Sequence, residues 1–235
     1  MPMLERMMEL PKRWQGLWHR TLLERRGAGS LTNDRPAKVY WLQAPLWHAD
    51  LRIPDDRPDF SGVTSIEECS DDQLAFIAGQ EGFCGVTRVE GPICTWSRLF
   101  DLNPGTALDV ARMRFEREDF IVETGIVEDY TEHWERVSGS APEPGLLPAD
   151  CTGIDGIFLQ SGDWGVQVKP RGDAPAGIDL YSETEARSRQ HLLWQASLAI
   201  SLCERTPTGW IIRLSTHPWL EEQALTVAGS ETACA

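Results

Sequence analysis

Trp47-His48-Ala49-Asp50-Leu51-Arg52-Ile53 decides the class of this fold. Trp47, Ala49, Leu51 and Ile53 recur at every second position with His48, Asp50 and Arg52 between them, which is the period of a β-strand and not of a helix. Asp55-Asp56-Arg57-Pro58 then closes the run as a turn. The polar face admits two readings. It forms the wall of an internal pocket, or it is the solvent side of a half-exposed antiparallel sheet with Trp47, Leu51 and Ile53 in the core.

Working outward, the same period recurs. Residues 14–24 and 39–43 precede the run, and residues 83–89, 93–100, 110–115, 120–124 and 131–137 follow it as strands. Gly82-Phe83-Cys84-Gly85 suggests a tight bend or bulge, with Cys84 as a small packing residue. Residues 65–78 are the best helix candidate: Ser65 stands three before Glu68 as in a capping box, Leu74, Ile77 and Ala78 form an apolar stripe, and Gly79 ends it. Residues 3–10 form a second short helix, and Gly27 to Ser30 break the chain. Residues 138–156 shift to Ser, Pro, Gly and Ala, which marks a long loop. Beyond it come strands at 157–160, 164–169 and 178–181, then a hairpin of residues 196–205 and 210–216 around Thr206-Pro207-Thr208-Gly209. In that hairpin Leu198, Ile200 and Leu202 alternate against Trp210, Ile212 and Leu214.

These elements predict an all-β fold, an antiparallel barrel of about ten strands with one or two short helices. Residues 12–228 read as one barrel domain whose closing strands follow the loop. The alternative is two packed β-lobes, residues 12–137 and 157–228.

Composition narrows the partners. The formal charge of −14 and pI near 4.8 exclude the positive field that nucleic acid or an anionic membrane surface requires. No segment approaches the ~20 apolar residues of a spanning helix, and the charged N-terminus does not read as a signal peptide, so a cytoplasmic protein is expected. The six cysteines lack metal-ligand spacing and read as free thiols. Neither metal nor cofactor is expected; a homo-oligomer stays open.

Gly16-Leu17-Trp18 at the start of the first strand resembles the G-x-W signature of lipocalins and the wider calycin superfamily. The resemblance implies a calycin-like barrel in which Trp18 closes one end and packs against an arginine on a late strand, with Arg213 as the matching candidate. Asp129-Tyr130 matches half of a further motif of that family. Gly162-Asp163-Trp164 repeats the G-x-W pattern later in the chain.

Tryptophan placement points to a cavity. Cys94, Trp96, Arg98 and Phe100 alternate on one strand, which sets Arg98 among large apolar groups. A buried guanidinium must be paired or must bind an anion. Glu116, Glu123 and Asp50 are candidate structural partners, and a ligand anion is the alternative. Arg112, Arg114 and Glu116 read as an outer face. His19, His48 and His133 fall on three strands without metal spacing.

The expected function is binding of a small, partly apolar or aromatic ligand carrying an anionic group. Trp41, Trp47, Trp96 and Trp134 supply walls, Arg98 or Arg52 holds the anion, His48 tunes the pocket with pH, and Glu123 places a carboxylate at its mouth. The alternatives are an isomerase, lyase or hydrolase using His48 or Glu123 as acid or base, and a protein-interaction module with no pocket.

Overall fold

The computed structural model describes residues 9–25, 37–142, 151–153, 156–176 and 188–225. The helix expected at residues 3–10, the break at Gly27 to Ser30 and the strand at 178–181 lie wholly or largely outside them.

Eight consecutive antiparallel strands close a barrel: β1 (Gly16–Arg25), β2 (Ala37–Gln43), β3 (Trp47–Pro54), β4 (Glu81–Glu90), β5 (Ile93–Asp101), β6 (Asp109–Arg117), β7 (Phe120–Gly125) and β8 (Tyr130–Arg136). The all-β barrel class is as the sequence predicts, with eight strands in the barrel rather than ten. Each strand pairs with its sequence neighbour, and β8 returns to β1 from Trp18↔Arg136 to Arg25↔Tyr130. The barrel therefore has no free edge by the time the chain reaches the loop after residue 137. The strands beyond that loop do not close it. They form a separate six-stranded sheet, ordered β14-β13-β12-β11-β10-β9. These are β9 (Cys151–Gly153), β10 (Gly156–Ser161), β11 (Trp164–Lys169), β12 (Ala199–Thr206), β13 (Gly209–Ser215) and β14 (Ala224–Leu225).

The second sheet lies on the outside of the barrel. Ala49, Leu51 and Ile53 of β3, with Leu42 and Cys84, pack against Leu159, Val166, Ile200 and Leu202. Both faces of β3 are consequently enclosed: its apolar side meets the second sheet, and its polar side turns into the barrel. The half-exposed reading of His48, Asp50 and Arg52 is overturned, because a second layer covers the side that packs outward.

Register shifts interrupt the strand pairing at four places, and three of them, in β1, β5 and β13, decide which face key residues take. In β1 the register shifts between Arg20 and Leu22, so Trp18 and Arg20 face inward below the shift and Leu23 and Arg25 above it. In β5 the pairing runs Gly85↔Arg98 and then Cys84↔Phe100, leaving Leu99 as the extra residue, 58% exposed. Phe100 is thereby turned outward onto the interface core, and Asp101 is turned in. In β13 the pairing runs Leu202↔Leu214 and then Cys203↔Ile212. Leu214 faces the barrel while Trp210 and Ile212 join Phe158 on the opposite face, so the simple alternation expected for this hairpin fails at Arg213.

The helix α1 is Asp71–Ala78 and starts later than expected. Ser70 is its N-cap in a capping box with Gln73. Glu68 instead accepts hydrogen bonds from the backbone N–H and hydroxyl of Thr64, at 2.7 and 2.9 Å. Leu74, Ile77 and Ala78 are buried as the apolar stripe predicts, against Leu192 and Ala196 of a second helix α2 (Arg189–Ala196), which the sequence reading missed. The spacing of its buried residues, Leu192, Gln195 and Ala196, includes a glutamine and gives little amphipathic signal. No helix among the described residues is long and apolar enough to cross a membrane.

Candidate functional site

One end of the barrel is plugged. Residues 10–15 cross it, Leu10 donating its backbone N–H to Pro45. Trp14 meets Phe115 edge-on at 5.0 Å, and Trp18 meets the same ring at 6.1 Å. The arginine over Trp18 is Arg136 of the last barrel strand, its guanidinium carbon 4.6 Å from the ring centre. The match to Arg213 is corrected: that residue lies on the second sheet and pairs with Glu204 and Glu222 at 2.8 Å. Gly162-Asp163-Trp164 makes the β10–β11 turn there, with Gly162 at φ 59°.

The other end holds a cavity of about 470 Å³. Its apolar walls are Trp41 from β2, Trp96 from β5, Trp134 from β8 and Phe83 from β4. Trp41 meets both Trp96 and Trp134 edge-on at 5.8 Å and stacks over Trp18 at 6.2 Å on the side of the plug. The buried indole N–H of Trp41 has no hydrogen-bond partner among the described residues. Leaving such a donor unpaired costs about 1–3 kcal/mol. The rim is formed by the β5–β6 and β7–β8 loops, where Leu108 and Val127 are exposed.

The cavity's guanidinium groups are engaged. Arg52 donates from Nε to Asp50 and from Nη1 to Glu81, each at 2.8 Å. Arg98 reaches Asp109 at 2.7 Å and Asp101 at 3.2 Å, and its guanidinium carbon sits 3.6 Å over the Phe83 ring. At the wall Arg20 binds Glu132 at 2.5 Å, and at the rim Arg25 binds Glu128 at 3.1 Å. Burial raises the pKa of Asp50 and of Glu132, and neighbouring arginines, Arg52 and Arg20 among them, offset only part of that rise.

Glu123 differs. It lies opposite Glu132 in the β7–β8 register and is 5% exposed. Its oxygens accept the Tyr130 hydroxyl at 2.7 Å and the Trp134 indole N–H at 2.9 Å. Among the described residues no cation pairs with it. Burial, followed by the charge of Glu132, pushes its pKa up to about 8, against the pull of the two donors. A carboxyl in this state is largely protonated at neutral pH; it can give up its proton, or accept a cation by ionising.

Of the residues expected from sequence, Trp41, Arg52, Trp96, Arg98, Glu123 and Trp134 line this cavity together. Two do not. Trp47 is on the outer side of β3, against the interface core. His48 is fully enclosed on the plugged side, where Thr87 accepts from its Nδ1 at 3.0 Å while donating to Gln43 at 2.7 Å. That arrangement leaves Nε2 as an acceptor without a partner among the described residues. Burial drives the His48 pKa down to about 3, so the expected tuning near neutral pH is corrected. Arg98 is indeed held by a structural salt bridge, with Asp101 and Asp109 as partners rather than Glu116, Glu123 or Asp50. His19 stacks on Tyr40 and His133 meets Phe120, both away from His48, so the three histidines do not converge.

Sequence reasoning missed Asp101 and Asp109 as cavity groups and Arg20 as the partner of Glu132 in the wall. Arg20 was open to detection, since it alternates with Trp18. Asp101 reaches the interior only through the Leu99 bulge, and Asp109 begins a strand after a loop, so alternation carries no signal for either. Comparison with protein-family models, with curated proteins and with solved structures gives no match to this chain.

Proposed function

We propose that the barrel binds a small, partly aromatic or apolar molecule in the open half of its interior, between Trp41, Trp96 and Trp134. The observation that carries this reading is the cavity itself. An eight-stranded barrel can fill its interior with side chains or keep room for one small ligand. This one is packed solid around Trp14, Trp18 and Phe115 at one end and leaves about 470 Å³ at the other. That volume lies within the ~300–1,000 Å³ of small-molecule sites. A protein-interaction module would have no use for such a space.

A lipocalin-like identity is part of the proposal. The consecutive strand order, the plugged and open ends, and Trp18 of Gly16-Leu17-Trp18 beneath Arg136 all support it. The anionic group expected on the ligand has less support, because Arg52 and Arg98 each already face two carboxylates.

Native mass spectrometry of freshly purified protein, compared with its denatured mass, tests the reading. A reproducible non-covalent adduct is expected, and Trp96→Ala, which opens one wall, should lose it while staying folded. An adduct retained undiminished in Trp96→Ala would place the ligand elsewhere.

A further inference from the structure

We propose that the cavity takes an organic cation, an ammonium on an aromatic or short apolar arm, with the charge against Glu123 and the arm between Trp41, Trp96 and Trp134. This rests on the cavity being a ligand site and adds the class of ligand. Charge pairing is the first argument. The guanidinium groups of Arg52, Arg98, Arg20 and Arg25 each have a carboxylate within 3.2 Å, so an incoming anion would have to displace one. Glu123 is the carboxyl in the wall with no cation beside it, and each of its oxygens keeps a lone pair after accepting from Tyr130 or Trp134.

The walls are the second argument. Three indoles and the Tyr130 ring line the same space, and the electron-rich faces of such rings attract ammonium groups. An anion would be repelled by those faces and by Asp50, Asp109 and Glu132, which also line the cavity.

Ionisation of Glu123 links this binding to pH. The titratable groups facing it are Asp109 from β6, Glu132 and Tyr130 from β8, and Cys94 from β5; Arg20 from β1 and Asp50 and Arg52 from β3 act on it through Glu132. The Cys94 thiol is pushed far up by burial and stays neutral, as does the Tyr130 phenol. Glu132 and Asp109 already have cation partners, Arg20 and Arg98. Glu123 is therefore the group that changes state when a cation arrives, and it releases its proton on binding.

Isothermal titration of the full chain with 2-phenylethylammonium, 2-phenylethanol and phenylacetate separates the outcomes. The ammonium should bind about tenfold or more tightly than the alcohol, and phenylacetate most weakly. Ammonium affinity should rise about tenfold per pH unit from pH 6 toward 8 and then level, since one proton leaves per ligand bound and the amine itself stays charged. Glu123→Gln should reduce the ammonium to the level of the alcohol. Glutamine fits the same place, its oxygen accepting from Trp134 and its amide donating to a rotated Tyr130 hydroxyl. Phenylacetate binding as tightly as the ammonium, or an ammonium affinity that is flat with pH in the wild-type protein, would overturn the inference. If the alcohol or the acid binds and the ammonium does not, the cation falls while the ligand cavity stands; if none of the three binds at millimolar concentration, both fall.

Discussion

Glu123 and His48 are two titratable groups enclosed in one barrel, and burial moves both toward neutrality from opposite sides. His48 falls to about 3 and Glu123 rises to about 8. Their effects on stability therefore have opposite signs. In the unfolded chain Glu123 loses its proton near pH 4.5, whereas in the fold it keeps it to about 8, so its contribution is full below 4.5 and is lost as pH rises through 8. The unfolded His48 gains a proton below 6.5 that the folded state refuses until about 3, so its contribution is lost as pH falls across that window. Thermal melts from pH 5 to 9 should show Glu123→Gln gaining on the wild-type protein as pH rises, with the difference levelling above 8. A constant difference across that range would mean that Glu123 ionises in the fold at its ordinary pKa. Salt-bridge geometry gives a second residue-scale prediction. Arg20→Met strands Glu132 in the interior and should cost about 3 kcal/mol in urea unfolding, because a lone partner of a buried pair is left uncompensated. A loss under 1 kcal/mol would show that Arg52 neutralises Glu132 alone.

At the scale of the element, the bulges explain what the sequence could and could not reveal. Alternation correctly grouped His48, Asp50 and Arg52, and it grouped Trp96 with Arg98, because no irregularity interrupts those stretches. It put Phe100 on the wrong face and left Asp101 unnoticed, because Leu99 adds one residue to β5. Periodicity cannot reveal such an insertion, which depends on the partner strand. The glycine at its partner position was legible, though. A Cβ on Gly85 would lie 1.9 Å from the carbonyl oxygen of Ser97, so only glycine lets β4 approach the bulge. Gly85→Ala should accordingly cost about 3 kcal/mol or more in chemical unfolding, and the Arg98 cluster should loosen with it. A variant within 0.5 kcal/mol of the parent protein would remove the bulge from this account. The helix start differs for another reason: Ser65-Glu68 and Ser70-Gln73 both fit a capping box in sequence, and in the fold the Glu68 carboxylate is taken by the N–H and hydroxyl of Thr64, so the box forms at Ser70 and Gln73.

Over the whole molecule, the apolar face of β3 ties the two sheets together. Leu51, Leu159 and Ile200 are each at most 1% exposed within one shared core. An apolar strand face looks the same in sequence whether it lines a barrel or meets another sheet, so strand alternation alone left one barrel and two packed lobes both open. A shared core predicts that barrel and sheet unfold together. Urea transitions followed by tryptophan fluorescence and by far-ultraviolet circular dichroism should superimpose, and Ile200→Ala should move both by about 2–5 kcal/mol. Two separated transitions would show that the barrel stands without its cover. The cavity and its carboxyl without a cation partner belong to the barrel, where the β7–β8 pairing sets Glu123 opposite Glu132. The most direct test is a carbon-13 NMR titration of protein labelled at the glutamate carboxyls, with Glu123→Gln supplying the assignment. The Glu123 resonance should titrate with a midpoint near 8; a midpoint near the ordinary value of 4.5 would show that burial does not hold this carboxyl neutral.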